Sequence, residues 1–273
     1  MAEHAPGRAA TSPAPRGAPS RRSPLALRFW RLYSRWRVQR SLAGVFVSGL
    51  DTVRAKLAEG PVILASTHVS WWDGLIMVLL DEALRAEGHV VVEATTLNRM
   101  PWLRGIGAIP LDRSGGASAR AGLRAAASVL DRPGRLVWIF PQGRQRPAWL
   151  RPLDLQPGVA LLARMAHAPI IPVALTYAFR EDPAPAAIVH FGDPVPPDQL
   201  EPALIAGLAS IDRFLDPGAL GLGQGAPPPA TPPVATREES PTNAVYTVLI
   251  APPATRAEEG FWARLLARFT GRS

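Results

Sequence analysis

From residue 44 to about 215, short apolar runs alternate with longer stretches whose apolar residues recur every three or four positions. The short runs predict strands: "VFVSGL" (45–50), "PVILAS" (61–66), "HVVVEAT" (89–95), "GAIPL" (107–111), "RLVWIF" (135–140), "PIIPVALTYA" (169–178) and "AAIVHFGDPV" (186–195). The longer stretches predict helices over 72–88, with Gly88 at the end, and over 118–131, 158–167 and 198–215. Strands that alternate with helices in this way predict an α/β fold, a mostly parallel sheet flanked by helices.

The flanks differ from this core. Residues 1–23 are rich in Ala, Pro, Arg and Ser and are expected to form a disordered tail. In "PLALRFWRLYSRWRVQRSLAG" (24–44), Leu25, Phe29, Leu32, Tyr33 and Trp36 share a helical face, while Arg28, Arg31, Arg35, Arg37 and Arg40 fill much of the rest. Aromatics on one face and arginines on the other suit a helix in the headgroup layer of an anionic bilayer. Plain packing against the domain, or a nucleic-acid arm, fits the same pattern; docking on a membrane is the expectation carried forward, without nucleic acid as a partner. Residues 216–273 read as a Pro/Gly-rich linker, with a late strand in "AVYTVLI" (244–250) and a short amphipathic helix in "EEGFWARLLARF" (258–269) at the end of a flexible tail. The expected organisation is thus a tail (1–23), one domain (24–215) that includes a docking helix at 24–43, and the 216–273 segment.

Composition narrows the picture. The formal net charge is +8, and Lys56 is the sole lysine, so the basic character is arginine. With no cysteine, disulfides, thiolate zinc sites and a cysteine nucleophile are excluded. No apolar run approaches the roughly 18 residues of a spanning helix, and the first residues carry no apolar secretion segment. The expectation is a protein at the cytoplasmic face of the membrane, peripheral to it.

Three stretches carry candidate chemistry. In "STHVSWWDG" (66–74), His68 follows a strand and Asp73 lies five positions on. On a continuous helix the two side chains would point about 140° apart, but on a turn that enters a helix they converge. A carboxylate on one imidazole nitrogen fixes the tautomer and leaves the other nitrogen free to take a proton. The bland alternative, a histidine ending a strand and an aspartate starting a helix, fits the spacing equally. In "TLNRMPWLRGIGAIPLDRSGG" (96–116), Arg113 precedes two glycines and a helix start, a setting suited to an anion; Arg99 and Arg104 lie nearby. In "FPQGRQRP" (140–147), Gly143 permits close backbone approach, Arg144 and Arg146 suit anionic groups, and Gln142 is able to hydrogen-bond but not to act as a base. His89, His167 and His190 lack a spaced carboxylate and read as structural. No Gly-x-Ser-x-Gly and no metal-binding His-Glu-x-x-His spacing occurs, although Ser70 lies close to His68 in sequence.

Taken together, "HVSWWD", "GAIPLDR", "FPQGRQRP" and "IIPVAL" resemble, in order and spacing, the four motifs of the glycerolipid and lysophospholipid acyltransferases, over roughly residues 40–200. The resemblance implies an O-acyltransferase of the 1-acylglycerol-3-phosphate type in phospholipid biosynthesis. It makes His68 the general base, Asp73 its orienter, and Arg113 the residue that handles the acceptor's phosphate. It places Gln142, Gly143, Arg144 and Arg146 on the substrate side. It implies acyl-CoA or acyl-carrier protein as acyl donor, a lipid acceptor, and no metal or resident cofactor. Two departures stand out. The third motif usually reads Phe-Pro-Glu-Gly-Thr-Arg, whereas here Gln142 replaces Glu, Arg144 replaces Thr and Gln145 replaces Arg; the Lys that often precedes the second motif is also absent. These departures point to acylation of a non-phosphate lipid, such as a glycolipid or pigment glycoside, as the alternative reaction. A non-catalytic membrane-binding member of the fold is the alternative outside enzymes. Trp71 and Trp72 are candidates for an acyl tunnel or for the core.

Overall fold

Ser23 sets the start of the first helix: its hydroxyl accepts from the Ala26 N–H at 3.3 Å, and Pro24 occupies a position where no backbone donor is needed. The computed structural model describes residues 22–180, 182–216 and 245–251. The expected tail over 1–23 and the C-terminal helix over 258–269 therefore lie largely or wholly outside the described residues.

This first helix, α1 (Pro24–Ser41), is apolar on two sides. Ser34 and Val38 are buried, and Leu27 and Trp30 pack against the core. The opposite stripe, Leu25, Phe29, Leu32 and Trp36, is 81%, 58%, 62% and 52% exposed. The residues that made the helix legible as amphipathic are thus the ones the domain leaves uncovered. Tyr33 lies between the faces, its ring stacked on Phe29 at 6.1 Å.

The chain continues through β1 (Val45–Ser48), α2 (Leu50–Glu59), β2 (Val62–Ser66), α3 (Asp73–Leu84), β3 (Glu87–Glu93), α4 (Ala94–Arg99) and a 3-10 turn (Pro101–Ile106). It then forms β4 (Ala108–Leu111), α5 (Gly116–Ser128), β5 (Arg135–Ile139), α6 (Gly158–Ala166), β6 (Ile170–Phe179), β7 (Pro185–Phe191), α7 (Leu200–Leu215) and β8 (Thr247–Ile250). The strands make one sheet in the order β4-β3-β5-β2-β6-β7-β1-β8. Five neighbouring pairs are parallel; β6–β7 and β1–β8 are antiparallel. The expected mostly parallel α/β sheet is what the chain forms. Alternate side chains feed two cores. Leu64, Leu136 and Trp138 join α1, α2 and α3 on one face. Ile63, Val137 and Ile139 join α5, α6 and α7 on the other.

Two local readings change. The run 45–50 is not all strand: Gly49, at φ +79°, breaks it and starts α2, and a Cβ there would lie 2.2 Å from the Phe191 carbonyl oxygen. The helix expected over 72–88 ends at Leu84, where Arg85 turns left-handed. Gly88 is not its stop but a strand residue of β3, and the Asp81 carboxylate fills the space its side chain would need, at 1.9 Å from an ideal Cβ. Asp81 is buried, its Oδ1 accepts the Trp138 Nε1–H at 2.8 Å, and burial pushes its carboxyl up to about 7. The late strand expected in 244–250 forms as β8 and pairs antiparallel with β1.

The three other histidines among the described residues stay out of the chemistry. His89 is buried in β3, where desolvation pushes its imidazole down to about 4 and keeps it neutral. His190, on β7, meets the Ser48 hydroxyl at 2.8 Å through Nδ1. His167 caps the end of α6 in a left-handed conformation.

Candidate active site

The loops that leave the C-terminal ends of β2, β5, β3 and β4 gather on one edge of the sheet, because these strands are parallel and adjacent. His68 follows β2, Glu93 ends β3, Arg113 follows β4, and residues 140–146 follow β5. Sequence-distant motifs therefore meet because strand order brings them together.

His68 and Asp73 converge as the turn reading required. Asp73 is the first residue of α3 and is buried. Its Oδ2 lies 2.6 Å from His68 Nδ1 and also accepts the Val69 and Ser70 N–H groups at 2.8 and 3.1 Å. Its Oδ1 accepts the Tyr177 hydroxyl at 2.7 Å. An ionised carboxylate only accepts, so Nδ1 carries the proton and Nε2 presents its lone pair. The His68 ring packs on Phe140 with centroids 4.4 Å apart. Tyr177 was not among the expected site residues. It lies on β6, 104 residues from Asp73, and burial beside the Asp73 charge pushes its hydroxyl well above the usual phenol range. It therefore stays protonated as a donor. The Ser70 hydroxyl accepts the Trp72 N–H at 3.4 Å.

A cavity of about 710 Å³ opens in front of His68. Its walls combine apolar side chains, among them Trp30, Leu75, Val78, Val90, Trp102 and Leu103, with polar and charged ones, among them His68, Arg113, Glu93, Asp112, Gln145 and Gln156. Arg120 of α5 and Arg164 of α6 also line it; both were read only as parts of helices. Trp71 lines the cavity, whereas Trp72 packs against the core, with the Arg37 guanidinium 5.2 Å from its ring.

The other expected substrate contacts divide. Arg113 lines the cavity; its Nη1 donates to the Gly143 carbonyl at 2.7 Å, and Glu93 lies 3.8 Å away. Gly143, at φ +65°, is where this guanidinium rests: an added Cβ would come within 2.9 Å of Arg113 Nη2. The Gly143 N–H donates to the Phe140 carbonyl at 2.9 Å and is not directed at a reacting oxyanion. Gln142, Arg144 and Arg146 do not line the cavity. Gln142 is 4% exposed; its Oε1 accepts the His68 N–H at 2.7 Å, and its Nε2 donates to the Leu153 carbonyl at 3.4 Å. Arg144 reaches Asp154 at 3.4 Å from the outside of the loop. Arg146 donates to the Leu153 carbonyl at 2.8 Å and lies 3.5 Å from Asp154. These three were expected to hold substrate; in the structure their side chains are engaged by the His68 N–H, the Leu153 carbonyl and Asp154.

The chain is similar to known proteins over part of its length. Residues 44–176 match the model of the family described as Acyltransferase. The chain is 33% identical over 116 residues to a 1-acyl-sn-glycerol-3-phosphate acyltransferase from Streptococcus pneumoniae (strain ATCC BAA-255 / R6), an overlap of 42% of this chain and 41% of that protein. The chain thus spans about two-fifths of the length of this curated relative. Among solved structures, it is similar to the 1-acyl-sn-glycerophosphate (LPA) acyltransferase PlsC from Thermotoga maritima, with a TM-score of 0.43 and 15% identity over 72% of this chain and 80% of that one.

Proposed function

We propose that this protein, whose residues 44–176 match the Acyltransferase family model, is an O-acyltransferase that acylates the hydroxyl of a lysophospholipid at a membrane surface. The observation that carries the reading is the Tyr177–Asp73–His68 chain of hydrogen bonds, with His68 on the wall of a cavity lined by apolar side chains and by Arg113, Arg120 and Arg164.

The reaction follows from these positions. His68 Nε2 takes the proton of the acceptor hydroxyl as its oxygen attacks the thioester carbonyl of the acyl donor. Asp73 stabilises the imidazolium that forms. The tetrahedral intermediate collapses, the C–S bond breaks, and the imidazolium returns its proton to the departing thiolate. The nucleophile belongs to the substrate, so no acyl-enzyme forms. Acyl-CoA or acyl-carrier protein supplies the thioester. Arg113, with Arg120 and Arg164 on the same cavity, favours an anionic acceptor or donor. Gln142 does not line the cavity and accepts the His68 N–H, so of the two grounds for a neutral glycolipid acceptor it is the absent motif lysine that bears on the acceptor.

Labelled acyl-CoA, offered with lysophosphatidic acid, other lysophospholipids and neutral glycolipids, tests this reading. Transfer to lysophosphatidic acid is expected, and Arg113→Ala is expected to raise the acceptor KM by about tenfold, one lost charge-assisted contact. Preferred transfer to a neutral glycolipid, with no effect of Arg113→Ala, would refute the phosphate-bearing acceptor.

The proposed location is the cytoplasmic face of a membrane, held peripherally. No helix among the described residues is long and apolar enough to cross a bilayer. Support comes from α1: its outer stripe is apolar and exposed, arginines such as Arg28 and Arg40 flank it, and its inner Trp30 stacks on Trp102 at 3.9 Å in the cavity wall. A helix that lies in the headgroups would thus set the cavity mouth beside the lipid. Replacing Phe29, Leu32 and Trp36 by Ser is expected to weaken sedimentation with anionic liposomes by on the order of 100-fold, about 1 kcal/mol per side chain. These side chains face solvent, so the melting temperature should hold. Undiminished sedimentation would remove the docking role.

A further inference from the structure

We infer that Gln142 is a positioning residue: with Arg146 it clamps the peptide groups of His68 and so holds the imidazole on its line to Asp73. The inference rests on His68 being the base. Both backbone polar groups of His68 are met by the loop after β5. Its N–H donates to Gln142 Oε1 at 2.7 Å, and its carbonyl accepts the Arg146 N–H at 2.8 Å. The same two residues then share one further anchor, the Leu153 carbonyl, which accepts Gln142 Nε2 at 3.4 Å and Arg146 Nη1 at 2.8 Å. Leu153 is fully buried, and its N–H is fixed by Glu201 Oε1 of α7 at 2.7 Å. The chain of contacts runs from α7 through Leu153 to Gln142 and Arg146 and ends on His68.

The side chain at 142 has to accept at one end and donate at the other. A primary amide does both at any working pH. A carboxylate accepts the His68 N–H equally well but turns a bare oxygen toward the Leu153 carbonyl oxygen. The Gln in place of the usual Glu is therefore the residue this particular clamp requires. It accounts for the departure from the family pattern without reference to the acceptor. Base geometry is demanding: a ring displaced by a fraction of an ångström loses its line to both Asp73 and the substrate hydroxyl.

The test uses the full chain with Gln142→Met and Gln142→Glu. A misplacement of about 1 Å in a reacting group costs on the order of 100-fold in rate, and a smaller one about 10-fold. Gln142→Met is expected to lower kcat in that range while KM for donor and acceptor stays within about twofold. In Gln142→Glu, the ratio of its kcat to that of the wild type is expected to rise as pH falls, because protonation restores the donor toward Leu153. Nitrogen-15 NMR of the imidazoles gives a readout independent of turnover: the His68 Nδ1–H signal of the Asp73 hydrogen bond should shift or broaden in Gln142→Met. A raised acceptor KM with kcat kept would overturn the inference in favour of acceptor binding. So would a wild-type kcat together with an unchanged His68 signal. A flat Gln142→Glu ratio would also count against it, and this variant decides if Gln142→Met does not fold. Should the wild type itself transfer no acyl group, the reading of the reaction fails, and the NMR signal alone decides whether the clamp exists.

Discussion

His68→Ala is expected to lower kcat by at least about 10³-fold, roughly 4 kcal/mol of transition-state stabilisation, in line with removal of a general acid–base group. The protein should remain folded, and the structure says why. The loop that carries His68 is held through its backbone, by Gln142 Oε1 and the Arg146 N–H, neither of which needs the imidazole. The buried Asp73 carboxylate loses one donor but keeps the Val69 and Ser70 N–H groups and the Tyr177 hydroxyl. No uncompensated buried charge is left behind, so the usual penalty of several kcal/mol for breaking a buried pair does not apply. The stacking on Phe140 is lost, worth about 1 kcal/mol. Steady-state assays beside a thermal melt check this. More than a tenth of wild-type kcat in a folded His68→Ala protein would sink the base assignment.

What was legible in the sequence, and what was not, follows the range of the interactions involved. The sheet was legible because parallel strands buried on both faces are written as continuous apolar runs. The pair His68 and Asp73 was legible because both residues sit on one turn, with only five positions between them. Tyr177 was not, since nothing local to β6 marks a residue that will meet Asp73 across the sheet edge. The third motif was legible as a departure from a pattern, but residue type does not give side-chain direction. Gln142, Arg144 and Arg146 read as substrate contacts because amides and guanidiniums after a strand commonly are. Their partners, the Leu153 carbonyl and Asp154, lie about ten residues on, in a stretch with no periodic pattern to predict its path. Arg120 and Arg164 failed for the opposite reason. They sat in well-marked helices, and helical periodicity alone does not tell which surface position overlooks a cavity. The Gly88 error is of the same kind: a glycine after a helical pattern reads as a stop signal, while the cause of this one is a carboxylate behind the strand.

Asp73→Asn is expected to lower kcat by about 10²–10⁴-fold without unfolding the protein. This substitution separates the charge of Asp73 from its hydrogen bonds. An amide oxygen in the place of Oδ2 still accepts from His68 Nδ1, Val69 N–H and Ser70 N–H. The amide nitrogen then faces the Tyr177 hydroxyl, 2.7 Å from the present Oδ1, and a hydroxyl is able to accept where it formerly donated. The turn, the tautomer and the ring position are therefore all compatible with Asn. The negative charge beside the imidazolium is gone, and that charge matters only once His68 has taken the acceptor's proton. The loss should fall on kcat and leave KM for both substrates nearly unchanged, as for an interaction made only in the transition state. Tyr177→Phe provides the contrast. It removes one of four hydrogen bonds to the carboxylate but keeps the charge, so its loss should stay within about tenfold, one net hydrogen bond. If Asp73→Asn retains kcat within tenfold of the wild type while Tyr177→Phe costs as much, the charge is not what drives proton transfer, and Asp73 serves only to hold the turn.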